Sequence, residues 1–72
     1  MKKDDLLVAI GKNIKKIREE KKVSQADLAA RCNYEKSNMS RIESGKTNLT
    51  IGTLLNIAES LDTTIIKLIT IE

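Results

Sequence analysis

Lys36, Ser37, Asn38, Ser40 and Arg41 lie within one short run of the 72-residue chain, and each carries a side chain able to donate hydrogen bonds. Lys and Arg donate to guanine O6 and N7, and Ser contacts several base edges or phosphates. At about 100° per residue, Met39 and Ile42 define the buried direction of a helix, and Lys36, Ser37, Ser40, Arg41 and Ser44 fall opposite. The short side chains between two long cations let such a helix sit deep in a groove. Alone, this face suits an ordinary solvated helix surface as well as it suits reading of DNA. Catalysis has no comparable support. There is no His, Cys32 is the only cysteine, and no metal-ligand cluster or phosphate-cradling glycine loop is present. Asp4–Asp5 and Glu19–Glu20 are adjacent acids that helical geometry splays apart. No catalytic residue, metal or cofactor is therefore expected, nor an enzyme.

The elements that must hold this face begin at Ser24. Ser24 can cap the amide of Asp27, and Asp27 can reach back in a capping-box-like pair. Leu28, Ala29 and Cys32 form one apolar face at helical spacing, leaving Asp27, Ala30 and Arg31 outside. Asn33 breaks the pattern, and Asn tolerates the left-handed conformation that ends a helix. Tyr34 plugs the turn. The second short run then carries Met39 and Ile42 inward and stops at Gly45, with small Ala29 where the two helices cross closely. Two short helices joined by a tight turn over residues 24–45 make a helix-turn-helix.

Gln25, Leu28-Ala29 and the run Met39-Ser40-Arg41-Ile42-Glu43-Ser44-Gly45-Lys46 resemble the DNA-binding domain of the phage repressor and Cro family. Leu54 to Thr64 is similar to that family's fourth helix and following turn, and the likeness runs from Ile10 to Leu68. The resemblance implies an all-α, five-helix bundle of the lambda-repressor-like type, with the helix over 35–44 in the major groove. It implies base contacts from Lys36, Ser37 and Arg41, with Asn38 or Ser40 adding base or phosphate contacts. Gln25 and the loop Lys46, Thr47 and Asn48 would hold the phosphate backbone, and free amides at a helix start support Gln25 independently. Arg18 and Glu43 each sit at the edge of an apolar stripe. The resemblance implies a partly buried ion pair tying the first helix to the recognition helix; two unrelated surface charges are the alternative. Three positions depart from the family pattern: Asn33 replaces Gly, Glu35 replaces a capping Ser or Thr, and Leu49 replaces Pro. An acidic Glu35 weakens any phosphate contact there.

A chain of 72 residues is one domain, burying only about 60% of its unfolded surface. Hydrophobic content of 40%, charged content of 32% and no proline suit an all-helical protein with an aliphatic core, since Tyr34 is the only aromatic. The net charge of +3 favours a polyanionic partner only weakly, because thirteen cations face ten anions. A single inward Cys32 excludes a disulfide framework and suits a reducing cytoplasm. No apolar run approaches a membrane span or a signal peptide.

Leu7, Ile10, Ile14 and Ile17 predict a first helix over 5–21 after a loose start, with Lys12, Lys15, Lys16 and Glu19 in water. Gly11 inside it marks a close contact, and Val23 staples onto Leu28. Thr50 caps a fourth helix whose predicted inward face is Ile51, Leu54, Leu55, Ala58 and Leu61, with Thr53, Asn56 and Ser60 opposite. In the segment 63–72 the resemblance implies a fifth helix over 64–69, whereas the β-branched content suggests a strand for the final residues. Ile65, Ile66, Leu68, Ile69 and Ile71 are too many apolar residues for one short face, so they are expected to cover the core and a partner subunit together. The expectation is a homodimeric repressor, specific for double-stranded DNA at a palindromic operator, with no membrane or small-molecule ligand. Two rivals are a protein-interaction module, such as an antitoxin-like partner, and a nonspecific nucleic-acid binder.

Overall fold

In the computed structural model, which describes residues 1–71, five helices follow in order. They are α1 (Lys3–Glu20), α2 (Gln25–Cys32), α3 (Lys36–Glu43), α4 (Ile51–Ser60) and α5 (Ile65–Ile69). Hydroxyl side chains start three of them. Ser24 Oγ accepts from Asp27 N at 3.0 Å, Thr50 Oγ1 from Thr53 N at 3.0 Å, and Thr64 Oγ1 from Lys67 N at 3.3 Å. Each satisfies an amide that the helix leaves without an internal partner. The reverse bond from the Asp27 side chain is not made among the described residues.

The first four helices stop alike. Lys22, Asn33, Gly45 and Asp62 take φ of 59°, 61°, 73° and 53°. The next amide reaches back five residues in each case: Val23 to Arg18, Tyr34 to Ala29, Lys46 to Arg41 and Thr63 to Ala58, at 2.8 to 3.1 Å. These bonds close the last carbonyls and turn the chain sharply, so four short connections fold the helices onto one core.

That core is aliphatic. Ile14, Leu28, Met39, Ile57, Leu61 and Leu68 are its largest fully buried side chains, with Ile10, Ala29, Cys32, Ile42, Leu54 and Ala58 around them. Helix α1 packs on α3 and α5, α2 packs on α3 and α4, and α4 also packs on α5. Gly11 is a point of close approach between α1 and α3. A β-carbon there would meet the Glu43 carbonyl and lie 2.8 Å from Ile42 O.

Several expectations change. Helix α1 begins at Lys3, earlier than the loose start read from the sequence. On α4 the buried stripe is Leu54, Ile57, Ala58 and Leu61, whereas Ile51 and Leu55 are 72% and 48% exposed. Both sets fit the i, i+3, i+4, i+7 spacing, and packing selects the one that Asn56 and Ser60 allow. Those two turn toward α2: Asn56 Nδ2 donates to Cys32 O at 3.0 Å, and the Cys32 thiol meets Ser60 Oγ at 3.3 Å. Burial pushes the Cys32 thiol pKa up, and the Ser60 bond partly offsets it.

Over 65–69 the last segment is helical, and Thr70 and Ile71 follow without a strand; Glu72 lies outside the described residues. Asn13 on α1 holds this end, its Nδ2 donating to Leu68 O and Thr70 O at 2.9 Å each. Leu68, expected at a subunit contact, is fully buried in its own core, and Ile65 is half-buried. A five-residue helix turns about one apolar residue in three or four fully inward, and here that residue is Leu68.

Candidate nucleic-acid interface

Helix α3 buries Met39, Ile42 and Glu43 and leaves Lys36, Ser37, Asn38, Ser40, Arg41 and Ser44 exposed. The side chains of Lys36, Ser37, Asn38, Ser40 and Arg41 make no hydrogen bond within the described residues, so their donors are free. Ser44 differs, because its hydroxyl donates to Ser40 O at 2.8 Å. The N-cap residue Glu35 adopts extended backbone and offers no side-chain cap.

Behind this face stands a buried ionic brace. Arg18 Nε donates to Glu43 Oε2 at 2.7 Å and Nη2 to Glu43 Oε1 at 3.1 Å, a bidentate pair. Arg18 Nη1 also donates to Val23 O at 2.9 Å, just before the Ser24 cap. The bond to Glu43 raises the Arg18 pKa above its ordinary value, against the opposing effect of burial. Gln25 completes the set by donating Nε2 to Glu43 Oε1 at 3.1 Å. One carboxylate thereby ties α1, the start of α2 and the end of α3 together, fixing the exposed face of α3 against the rest of the molecule.

The expected anchoring residues flank that face unequally. Gln25 is half-buried, with one amide hydrogen committed to Glu43, and only the other N–H is left for a phosphate. Lys46 and Asn48 are exposed and Thr47 is half-buried, all in the loop after α3. That loop forms a shallow depression with Lys3, Asp4 and Leu7 at the start of α1. A second depression runs beside α3 and is lined by Lys15, Arg18, Gln25, Ser40, Glu43 and Ser44. Lys15, assigned to open water from the sequence, therefore stands next to the α3 face. Its signal was legible: Gly11, Lys15 and Arg18 share the i, i+4, i+7 edge of α1, and Gly11 marks that edge as the one against α3.

Apolar side chains are exposed as well, and Ile69 shares a depression with Asn48 and Lys3. Ile66 is 73% exposed, Ile69 and Ile71 are partly exposed, and Ile51 and Leu55 add to them from α4. No helix is long and apolar enough to cross a membrane among the described residues.

The chain is similar to known proteins in both sequence and structure. A family model described as "Helix-turn-helix" matches residues 14–68. An uncharacterized HTH-type transcriptional regulator, y4dJ of Sinorhizobium fredii, is 30% identical over 66 residues, covering 92% of this chain and 86% of that protein. The restriction-modification controller protein C.Esp1396I is similar in structure with a TM-score of 0.80 and 38% identity, over 88% of this chain and 82% of that one. The controller protein C.AhdI from Aeromonas hydrophila superposes with a TM-score of 0.83 and 29% identity, over 86% of this chain and 94% of that one.

Proposed function

The chain belongs to the helix-turn-helix family and is a transcriptional regulator of that type; we propose that it recognises specific double-stranded DNA as a homodimer on a palindromic operator and acts as a repressor. The observation that carries this reading is the combination on α3: five free donor side chains outside, and a bidentate Arg18–Glu43 pair holding the helix from behind. A recognition helix needs both, since base edges are read by side chains whose register the scaffold fixes.

Lys36, Ser37 and Arg41 contact bases in this reading, with Asn38 or Ser40 beside them. Gln25, through its remaining N–H, and Lys46, Thr47 and Asn48 hold phosphates, joined by Lys15 from α1. Dimerisation follows from length: one short helix reads only a few base pairs, so such domains pair two helices on a two-fold site. Ile66, Ile69 and Ile71 in the last segment, and Ile51 and Leu55 on α4, are exposed apolar side chains available for that contact. Burying large exposed side chains of this kind contributes about 1.5–3 kcal/mol each.

A salt titration on selected and random duplexes tests the reading. A specific regulator shows a large affinity ratio between the two and a steep loss of binding with salt. A nonspecific binder shows the salt dependence without the ratio, and a protein-interaction module shows neither.

A further inference from the structure

Glu35 is the acid that a DNA-facing surface should not carry. It stands directly before α3, exposed, with its backbone carbonyl fixed by a 3.1 Å bond from Met39 N. Ser24, Thr50 and Thr64 cap α2, α4 and α5 through their hydroxyls, but the Glu35 side chain makes no cap bond. Nor does it pair with a cation among the described residues, although Lys36 is adjacent. The carboxylate is thus free, at the end of α3 whose side chains would enter a groove first.

We propose that Glu35 is a specificity-determining residue that accepts a hydrogen bond from the exocyclic amino group of a cytosine or adenine. The proposal rests on the reading of α3 as a recognition helix. An ionised carboxylate only accepts hydrogen bonds. In the major groove the available donors are cytosine N4 and adenine N6, whereas guanine O6 and N7 and thymine O4 are acceptors and repel it. Phosphates repel it as well, so Glu35 cannot add to backbone affinity. Its charge opposes binding to every sequence, and only an amino-bearing base at one position compensates. The consequence is weaker binding overall and sharper choice at that position.

The test measures binding of wild type, Glu35→Thr and Glu35→Gln to a randomised operator library, with random-sequence duplex as reference. The wild type should disfavour guanine and thymine at one position by roughly five- to 150-fold. Glu35→Thr removes the charge and restores a hydroxyl cap; it should bind random duplex more tightly and flatten that position alone. Glu35→Gln should retain the preference if the base is adenine, which Gln bonds in bidentate fashion, and weaken it if the base is cytosine. A Glu35→Thr profile that superposes on wild type, beside an altered Arg41→Ala profile, overturns this proposal and leaves the recognition helix standing. A wild type with no base preference at all overturns both.

Discussion

Glu43→Ala removes the acceptor on which three donors of two other helices converge. Arg18 loses the bonds from Nε and Nη2, Gln25 loses the bond from Nε2, and Arg18 keeps only Val23 O. The side chains of the pair are 10% and 4% exposed, which places them near the buried limit. Stranding one partner of a buried pair costs about 3–5 kcal/mol, against at most about 1 for an exposed one. Arg18 lies at the margin of α1 and regains some water by swinging outward, so a loss of about 3 kcal/mol is expected. For a domain of this size that lowers Tm by roughly 12–24 °C, taking about 4–8 °C per kcal/mol. Replacing both partners together, as Arg18→Met with Glu43→Leu, should recover most of the loss, because neither charge is then stranded. Urea melts of Arg18→Met, Glu43→Leu and the double variant close the cycle. A Glu43→Ala midpoint within about 1 kcal/mol of wild type, as for an exposed pair, would refute the brace.

Further outcomes follow from individual side chains. Gly11→Ala places a β-carbon against the Glu43 carbonyl, so it should destabilise by about 1–3 kcal/mol by thermal melt despite the better helix propensity of Ala; a more stable variant contradicts the close crossing. Arg41→Ala should cost about 1–3 kcal/mol on the preferred site and relax one base pair, while Lys46→Ala should weaken all duplexes alike and make the salt slope shallower by about one. Ile66→Asp, at the most exposed of the α5 isoleucines, should shift sedimentation toward monomer and weaken full-site binding far more than half-site binding; an unchanged assembly removes α5 from the contact. The Cys32 thiol pKa is raised in the folded state, so its contribution to stability is full below the unfolded value, about 8.5, and is lost as pH rises through the folded one. Urea melts between neutral and alkaline pH should show that decline, and Cys32→Ala should reduce it.

Most of the fold was legible because most helix boundaries carry their own local chemistry. Ser24, Thr50, Asn33 and Gly45 all act at the positions their side chains or conformational freedom suit. Lys22 takes a left-handed conformation too, with nothing in its residue type to signal it, and so does Asp62, whose type tolerates that conformation as Asn does. Helix α4 was misread because it is apolar on two sides. Periodicity cannot choose between the Ile51–Leu55 and Leu54–Ile57 stripes when both match, and the choice is made by Asn56 and Ser60 meeting α2. Leu68 was invisible as a core residue among four isoleucines, since the docking of α5 depends on Asn13, fifty-five residues away in sequence. At the interface, the exposed set on α3 followed from Met39 and Ile42 alone. The bond from Gln25 to Glu43 did not, because a long polar side chain at a helix start points equally well to solvent or to a neighbouring acid.

Selection of bound duplexes from a random pool, followed by footprinting of the winning site, tests the homodimeric recognition of DNA most directly. The expected product is an inverted repeat whose half-site centres lie about 34 Å apart, one helical turn, protected symmetrically and lost with Arg41→Ala. A pool that enriches no sequence, or a single asymmetric half-site protected by a monomer, would contradict it.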